Sequence, residues 1–259
     1  MVLSLRRPGA GSLIGRRALI TGGSSGIGAA TARVLAGRGV RVAVAGRDLT
    51  ALRAVAEDVG GVPVPGDLLD RTCAGQAVET AAGTLGGLDI VVSNAGIGWS
   101  GPFAMMSEPD IDALLDVNLR APAHLARAAL PYLRSGTGWL VFTGSIAGQV
   151  GVPGEAWYSA TKAGLACLAD VLRAELRPAG VGVTLVIPGV VDTAYFVRRN
   201  VAYQRQHPQP ISAHMVAVAI ADAIEHAREE VVVPGWLSLP ARLKMSFPRL
   251  YRQLESRFA

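Results

Sequence analysis

The chain has 259 residues, half of them apolar and 17% charged, with 25 basic against 20 acidic side chains and a net charge of +5. That composition excludes a disordered or fibrous chain, and the length suits one large α/β domain with a full core. No apolar run is long enough to span a membrane, and no basic run with interleaved aromatics suggests a nucleic-acid partner. Cys73 and Cys167 are too few for a disulfide framework, and residues 1–16 lack the apolar stretch of a signal peptide, so a cytoplasmic protein is expected.

Residues 1–14 read as a flexible N-terminal arm. From there strand-like and helix-like segments alternate. Ala18–Ile20 reads as a buried strand and 26–38 as the helix after it. Val40–Ala45 is the second strand, and Asp48 can cap a helix over 49–59. Val62–Val64 is a short third strand, followed by a helix over 70–85 and a fourth strand at Leu88–Val92. Helical patterns cover 108–117 and 119–134. Trp139–Thr143 is the fifth strand, 156–177 a long helix and Val181–Ile187 the sixth strand. A loop-rich stretch runs to about residue 210, before a helix over 211–227 and a strand at Glu230–Val233. Short apolar runs between helices predict a parallel sheet covered on both faces, a doubly wound Rossmann-type α/β fold in a single domain over 15–235.

Two groups of residues carry chemistry. Thr21-Gly-Gly-Ser-Ser-Gly-Ile-Gly28 joins the first strand to the first helix, where glycines permit a tight turn and close approach of a pyrophosphate. Tyr158 and Lys162 stand four apart, on one face if 156–177 is helical, about 6 Å apart along the axis. Lys162 is one of only two lysines in an arginine-rich chain. Free tyrosine has a pKa near 10, so proton exchange near neutrality needs a drop of about 4 kcal/mol, and an ammonium nearby acts in that direction. His207 and His214 have no metal-ligand spacing, so no metal site is expected.

Together these motifs resemble the short-chain dehydrogenase/reductase family, in its single-domain branch of about this length. The glycine loop is similar to that family's Thr-Gly-x-x-x-Gly-x-Gly. Ser93-Asn94-Ala95-Gly96 resembles its Asn-Asn-Ala-Gly, with Ser93 replacing the first Asn. Asn118 in Asp-Val-Asn-Leu, Ser145 thirteen positions before Tyr158, and Pro188-Gly-Val-Val-Asp-Thr193 also match, so the resemblance runs from about residue 15 to 195. It implies hydride transfer with a nicotinamide cofactor. Tyr158 would be general acid and base, Lys162 would lower its pKa and hold the ribose, Ser145 would bind the substrate oxygen, and Asn118 would hold a water leading from Lys162 to solvent. Cofactor contacts are implied for Gly22, Ser24, Ser25, Gly26, Ile27, Gly28, Asn94, Ala95, Gly96, Tyr158, Lys162, Pro188, Gly189, Val191 and Thr193. Asp67 and Leu68 resemble the family's adenine-contacting pair.

The second strand ends in small residues followed by Arg47, not in an acid that would accept from a ribose 2′-OH. An arginine fork can clamp a 2′-phosphate, so NADP is favoured over NAD. Segments 96–107, 146–157 and 190–210 should surround the substrate and contain Trp99, Phe103, Met105, Val150, Val152, Trp157, Tyr195 and Phe196. That set suits a small apolar or lipid-like alcohol or ketone. Arg198, Arg199 and Arg205 could meet an anionic tail, and 190–210 reads as a lid. Residues 236–259 form a basic amphipathic tail, with Leu250, Leu254 and Phe258 at helical spacing. Such a tail can touch an anionic membrane, but Pro240 and Pro248 divide it, which favours packing on its own domain or a neighbouring subunit. The alanine-rich faces of 119–134 and 156–177 permit close helix contact, and the resemblance implies a homodimer or homotetramer. A 3-oxoacyl-thioester reductase is the alternative enzyme and a non-catalytic NAD(P)-binding sensor the alternative outside enzymes.

Overall fold

The computed structural model describes residues 11–133, 136–195, 208–249 and 251–253. Seven parallel strands form one sheet: β1 (Arg17–Thr21), β2 (Arg41–Gly46), β3 (Val62–Pro65), β4 (Ile90–Ser93), β5 (Trp139–Thr143), β6 (Gly182–Pro188) and, after a separate short pair β7 (Val191–Asp192) and β8 (Ile211–Ser212), β9 (Glu230–Val233). Their order is β3-β2-β1-β4-β5-β6-β9. Every residue of β4, β5 and β6 is buried, as expected of strands covered on both faces.

The helices are α1 (Gly26–Gly37), α2 (Leu49–Asp58), α3 (Cys73–Leu85), α4 (Glu108–Leu115), α5 (Ala121–Ala129), α6 (Ile146–Val150), α7 (Ala156–Leu176), α8 (Ala213–Glu225) and α9 (Ser238–Ser246). Side chains alternate along the strands and divide the apolar interior in two. Ile90, Val92, Trp139 and Val141 join α1, α2 and α8 in one core. Val91, Leu140 and Phe142 join α3, α5 and α7 in the other. Trp139 is buried with its indole N–H satisfied: Nε1 donates to Thr184 Oγ1 at 2.8 Å, and that hydroxyl donates to the Arg228 carbonyl at 2.7 Å. No helix among the described residues is long and apolar enough to cross a membrane.

Two predicted helices merge. The segments at 108–117 and 119–134 form one run, α4 to α5, interrupted by a π turn at Asp116–Arg120, where the Ala121 N–H bonds the Asp116 carbonyl. Pro122 supplies the reason: it has no N–H for the Asn118 carbonyl four residues earlier, so the helix widens there. The tail also differs from expectation. Pro240 does not break a helix but sits in the first turn of α9, where its missing N–H costs no intrahelical bond. Of this segment Leu237 and Ala241 are buried. Leu250, Leu254 and Phe258 lie outside the described residues.

Candidate active site

The strand order reverses between β1 and β4, which opens a crevice at their C-terminal ends. The glycine loop and the Ser93–Gly96 turn form its two sides, and they press together. Gly22 has φ +65°, and a Cβ there would stand 2.9 Å from Ala95 Cα. A Cβ on Gly28 would collide with the Gly22 carbonyl oxygen and come within 2.7 Å of Asn94 Nδ2. Asn94 serves the sheet: its N–H donates to Thr21 Oγ1 at 3.0 Å, its Nδ2 to the Thr21 carbonyl at 3.0 Å, and its Oδ1 accepts from Thr143 Oγ1 at 3.4 Å. One amide thus ties the ends of β1, β4 and β5 together.

A cleft of about 610 Å³ follows this crevice. Of the predicted cofactor residues, Gly22, Ser24, Ser25, Arg47, Asp67, Leu68, Ala95 and Gly96 line it. Gly26, Ile27, Gly28, Asn94, Pro188, Gly189, Val191 and Thr193 are not in its lining, although Thr193 reaches the loop: a Cβ on Gly26 would stand 3.1 Å from its methyl. Asp48 caps α2, accepting from the Ala51 N–H at 3.0 Å, so its carboxylate is committed. Arg47 projects beside Asp67 at 3.8 Å, both half exposed. Sequence reasoning missed Val64, Gly66, Cys73 and Ala77 in the cleft wall. Burial, and then the nearby Asp70 and Asp67, push the Cys73 thiol up, which keeps it protonated.

Asn118 and Lys162 meet at the other end of the cleft, near Gly96. A Cβ on Gly96 would lie 3.3 Å from Asn118 Oδ1 and 3.4 Å from Lys162 Nζ. Asn118 is fully buried in the π turn. Its Oδ1 accepts from the Ile97 N–H at 2.9 Å, and its Nδ2 donates to the Ile97 carbonyl at 2.9 Å and to Thr161 Oγ1 at 3.2 Å. Thr161 Oγ1 in turn donates to the Tyr158 carbonyl at 2.8 Å. Lys162 is buried, donates to the Thr143 carbonyl at 2.9 Å, and lies 5.9 Å from the Tyr158 ring centre. Burial pushes its ammonium down from 10.5 to about 8. Ser145 is the N-cap of α6 and accepts from the Ala147 N–H at 3.2 Å, which leaves its O–H to donate elsewhere. Thr161 and the Thr143 carbonyl were not found from the sequence. A backbone acceptor leaves no residue signature.

On the substrate side, Tyr195 packs on Tyr158 with ring centres 6.1 Å apart, and a Cβ on Gly98 would collide with its hydroxyl. Trp157 is committed to structure, its Nε1 donating to the Ile111 carbonyl at 2.8 Å. Phe103 and Met105 are exposed. Phe196, Arg198, Arg199, Arg205 and His207 lie outside the described residues. Among the described residues no group of three or more His, Cys, Asp or Glu side chains could hold a metal ion.

A doubly wound sheet with a glycine-lined crevice at its switch point is the architecture of a dinucleotide-binding protein. The sequence pattern of the short chain dehydrogenase family matches residues 16–204. An uncharacterized oxidoreductase of Myxococcus xanthus is 35% identical over 241 residues, covering 90% of this chain and 93% of its own. A short chain dehydrogenase from Burkholderia cenocepacia, solved in complex with NADP, is 34% identical with a TM-score of 0.77, covering 85% of this chain and 97% of its own. A 3-ketoacyl-(acyl-carrier-protein) reductase from Brucella melitensis, solved with NADH, is 26% identical with a TM-score of 0.80, covering 86% and 98%. The chain belongs to the short chain dehydrogenase family and is an NAD(P)-dependent dehydrogenase or reductase. The residues fit that cofactor: the cleft has room for much of a dinucleotide, and α1, which points its N-terminus at it, has no acidic residue in its first turn.

Proposed function

We propose that the protein interconverts a moderately hydrophobic ketone and its alcohol, with NADP favoured over NAD, and that Tyr158 is its general acid and base. The observation that carries this reading is the buried Lys162 ammonium, hung beside Gly96 at the end of the cleft and 5.9 Å from the Tyr158 ring centre. When bound, the nicotinamide supplies or accepts the hydride. Tyr158 gives its proton to the carbonyl oxygen in reduction and takes it back in oxidation. Lys162, still mostly protonated at neutral pH, stabilises the phenolate. Its ammonium would also hold the nicotinamide ribose. Ser145 donates its O–H to the substrate oxygen and steadies developing negative charge. Asn118, bonded to the Ile97 backbone and close to Lys162 across Gly96, holds a water that leads from Lys162 to solvent.

NADP is supported by Arg47, which lines the cleft; Asp48 lines it too, but its Oδ1 is engaged in capping α2. Its partner Asp67 is exposed and weakly held, so the guanidinium can turn to a 2′-phosphate. The free thiols Cys73 and Cys167 suit a reducing compartment. Exposed Val171 on the outer face of α7 suits a homodimer or homotetramer built through that helix.

The reading is tested with a panel of aryl ketones, 3-oxoesters and 3-oxoacyl thioesters, followed by NADPH absorbance. Y158F should lower turnover by at least about 10²-fold and leave NADPH binding intact; wild-type rates in that variant would remove Tyr158 from its role. Activity confined to the thioesters would favour the 3-oxoacyl-thioester reductase, a reading suggested by the likeness to the Brucella melitensis enzyme. Tight NADPH binding with no turnover on any member would favour a sensor.

A further inference from the structure

The chain contains two lysines, and the second lies outside the machinery just described. Lys244 Nζ donates to the Val150 carbonyl at 2.6 Å. Val150 is the last residue of α6, the five-residue helix that opens on Ser145. A cation there satisfies one of the carbonyls left over at a helix C-terminus and meets the negative end of the dipole. A helix of five residues has no stability of its own, so its neighbours decide where it lies.

Those neighbours hold α6 from two directions. On one side it is wedged against α7: a Cβ on Gly148 would stand 2.7 Å from the Lys162 carbonyl carbon and 2.8 Å from the Ala163 nitrogen. On the other side stands α9, which supplies Lys244. The start of α9 is itself fixed on the turn after β6. Leu237 is buried against Gly189, where a Cβ would collide with its side chain. The C-terminal segment therefore touches both the turn after β6 and the end of the serine helix.

We propose that Lys244 is a positioning residue for Ser145, pinning the far end of α6 so that the hydroxyl at its near end keeps its place. The proposal rests on the role given to Ser145 above. It assigns a task to the chain's second lysine. A displacement of about 1 Å in a group that meets the reacting oxygen can cost 10²-fold in rate. Lys244 bonds the far end of α6, and Val150, its partner there, is not among the residues given a cofactor contact. Loss of Lys244 should therefore act on turnover and spare cofactor binding.

The test is a double-mutant cycle of K244M and S145A, run on whichever panel compound the wild type reduces fastest. K244M should lower kcat about tenfold while the NADPH dissociation constant, read by fluorescence, stays within about twofold. K244R, which restores a cationic donor, should recover most of the loss. Added to S145A, K244M should cost nothing further, because the hydroxyl it positions is already gone. A full multiplicative loss in the double variant, or wild-type kcat in K244M, would overturn the proposal while leaving the serine's role standing. Wild-type turnover in S145A would instead remove the serine's role, and this proposal with it. Where K244M does not give folded protein by circular dichroism, K244A, which also removes the donor, takes its place in the cycle and is judged by the same outcomes.

Discussion

Lys162 hangs from the Thr143 carbonyl at 2.9 Å, at the C-terminal edge of β5, and not from the ring of Tyr158. The bond fixes the ammonium in the interior, where burial pushes it from 10.5 down to about 8. The folded state thus binds this proton more weakly than the unfolded chain. Below pH 8 both states are protonated, and folding bears the full cost of the buried charge. Between 8 and 10.5 the unfolded chain holds more protons, so stability rises with pH. Relative to K162M, whose methionine does not titrate, the wild type should gain about 3 kcal/mol across that window and nothing below it. Denaturant titrations spanning the window check this; a difference that stays flat would mean that the ammonium is not desolvated.

On the proposed reading, Arg47 selects NADP over NAD. R47A should weaken NADPH by about tenfold, the size of one lost charge-assisted contact, and leave NADH within about twofold. D67N should tighten NADPH by no more than about threefold, since the exposed 3.8 Å pair it breaks is worth under 1 kcal/mol. Fluorescence titrations of both nucleotides read the two variants. Tighter NADH in the wild type would reverse the preference.

What could be read in advance was whatever depends on a residue's own neighbours in sequence. The β-branched runs at Ile90–Ser93 and Gly182–Pro188 have both faces to bury, and Asp48 stands at the right distance from Ala51 to cap α2. The convergence of Asn118, Tyr158 and Lys162 was legible only through the family's pattern, because the π turn that aims Asn118 follows from Pro122 and its acceptor is the backbone of Ile97. Trp157 was one of eight residues, in three segments, expected around the substrate. Its N–H had a nearer partner in the Ile111 carbonyl, forty-six residues away in sequence. Lys244 was hidden for the same reason. Its partner is a carbonyl ninety-four residues away, visible only once α9 and α6 are set side by side.

Gly98 and Tyr195 form the wall beside Tyr158. A methyl on Gly98 would collide with the Tyr195 hydroxyl, so the ring must turn aside. G98A and Y195A should therefore change selectivity in the same direction, raising kcat/KM for bulky ketones over small ones by about tenfold, as expected of an apolar wall removed from a pocket. NADPH affinity, measured alongside, separates an effect on the substrate wall from one on the cofactor. An unchanged ratio in both variants would take Tyr195 out of the substrate wall.

Two glycines of α1 should respond in opposite directions to the same substitution. Gly37 has open space around it, with nothing within 4 Å of an added Cβ. G37A should stabilise the protein by about 0.5–1 kcal/mol, through the backbone entropy that glycine loses on folding. Gly28 has no such room. Its Cβ would collide with the Gly22 carbonyl oxygen and press on Asn94 Nδ2 at 2.7 Å, and the obstacles are backbone and a side chain already bonded to Thr21. G28A should cost about 1–3 kcal/mol by overpacking. It should also weaken both nucleotides, because the carbonyl it displaces belongs to the glycine loop that lines the cleft. Urea denaturation with and without NADPH separates the two effects. Loss of stability with undiminished cofactor affinity would mean that the loop absorbs the methyl without opening.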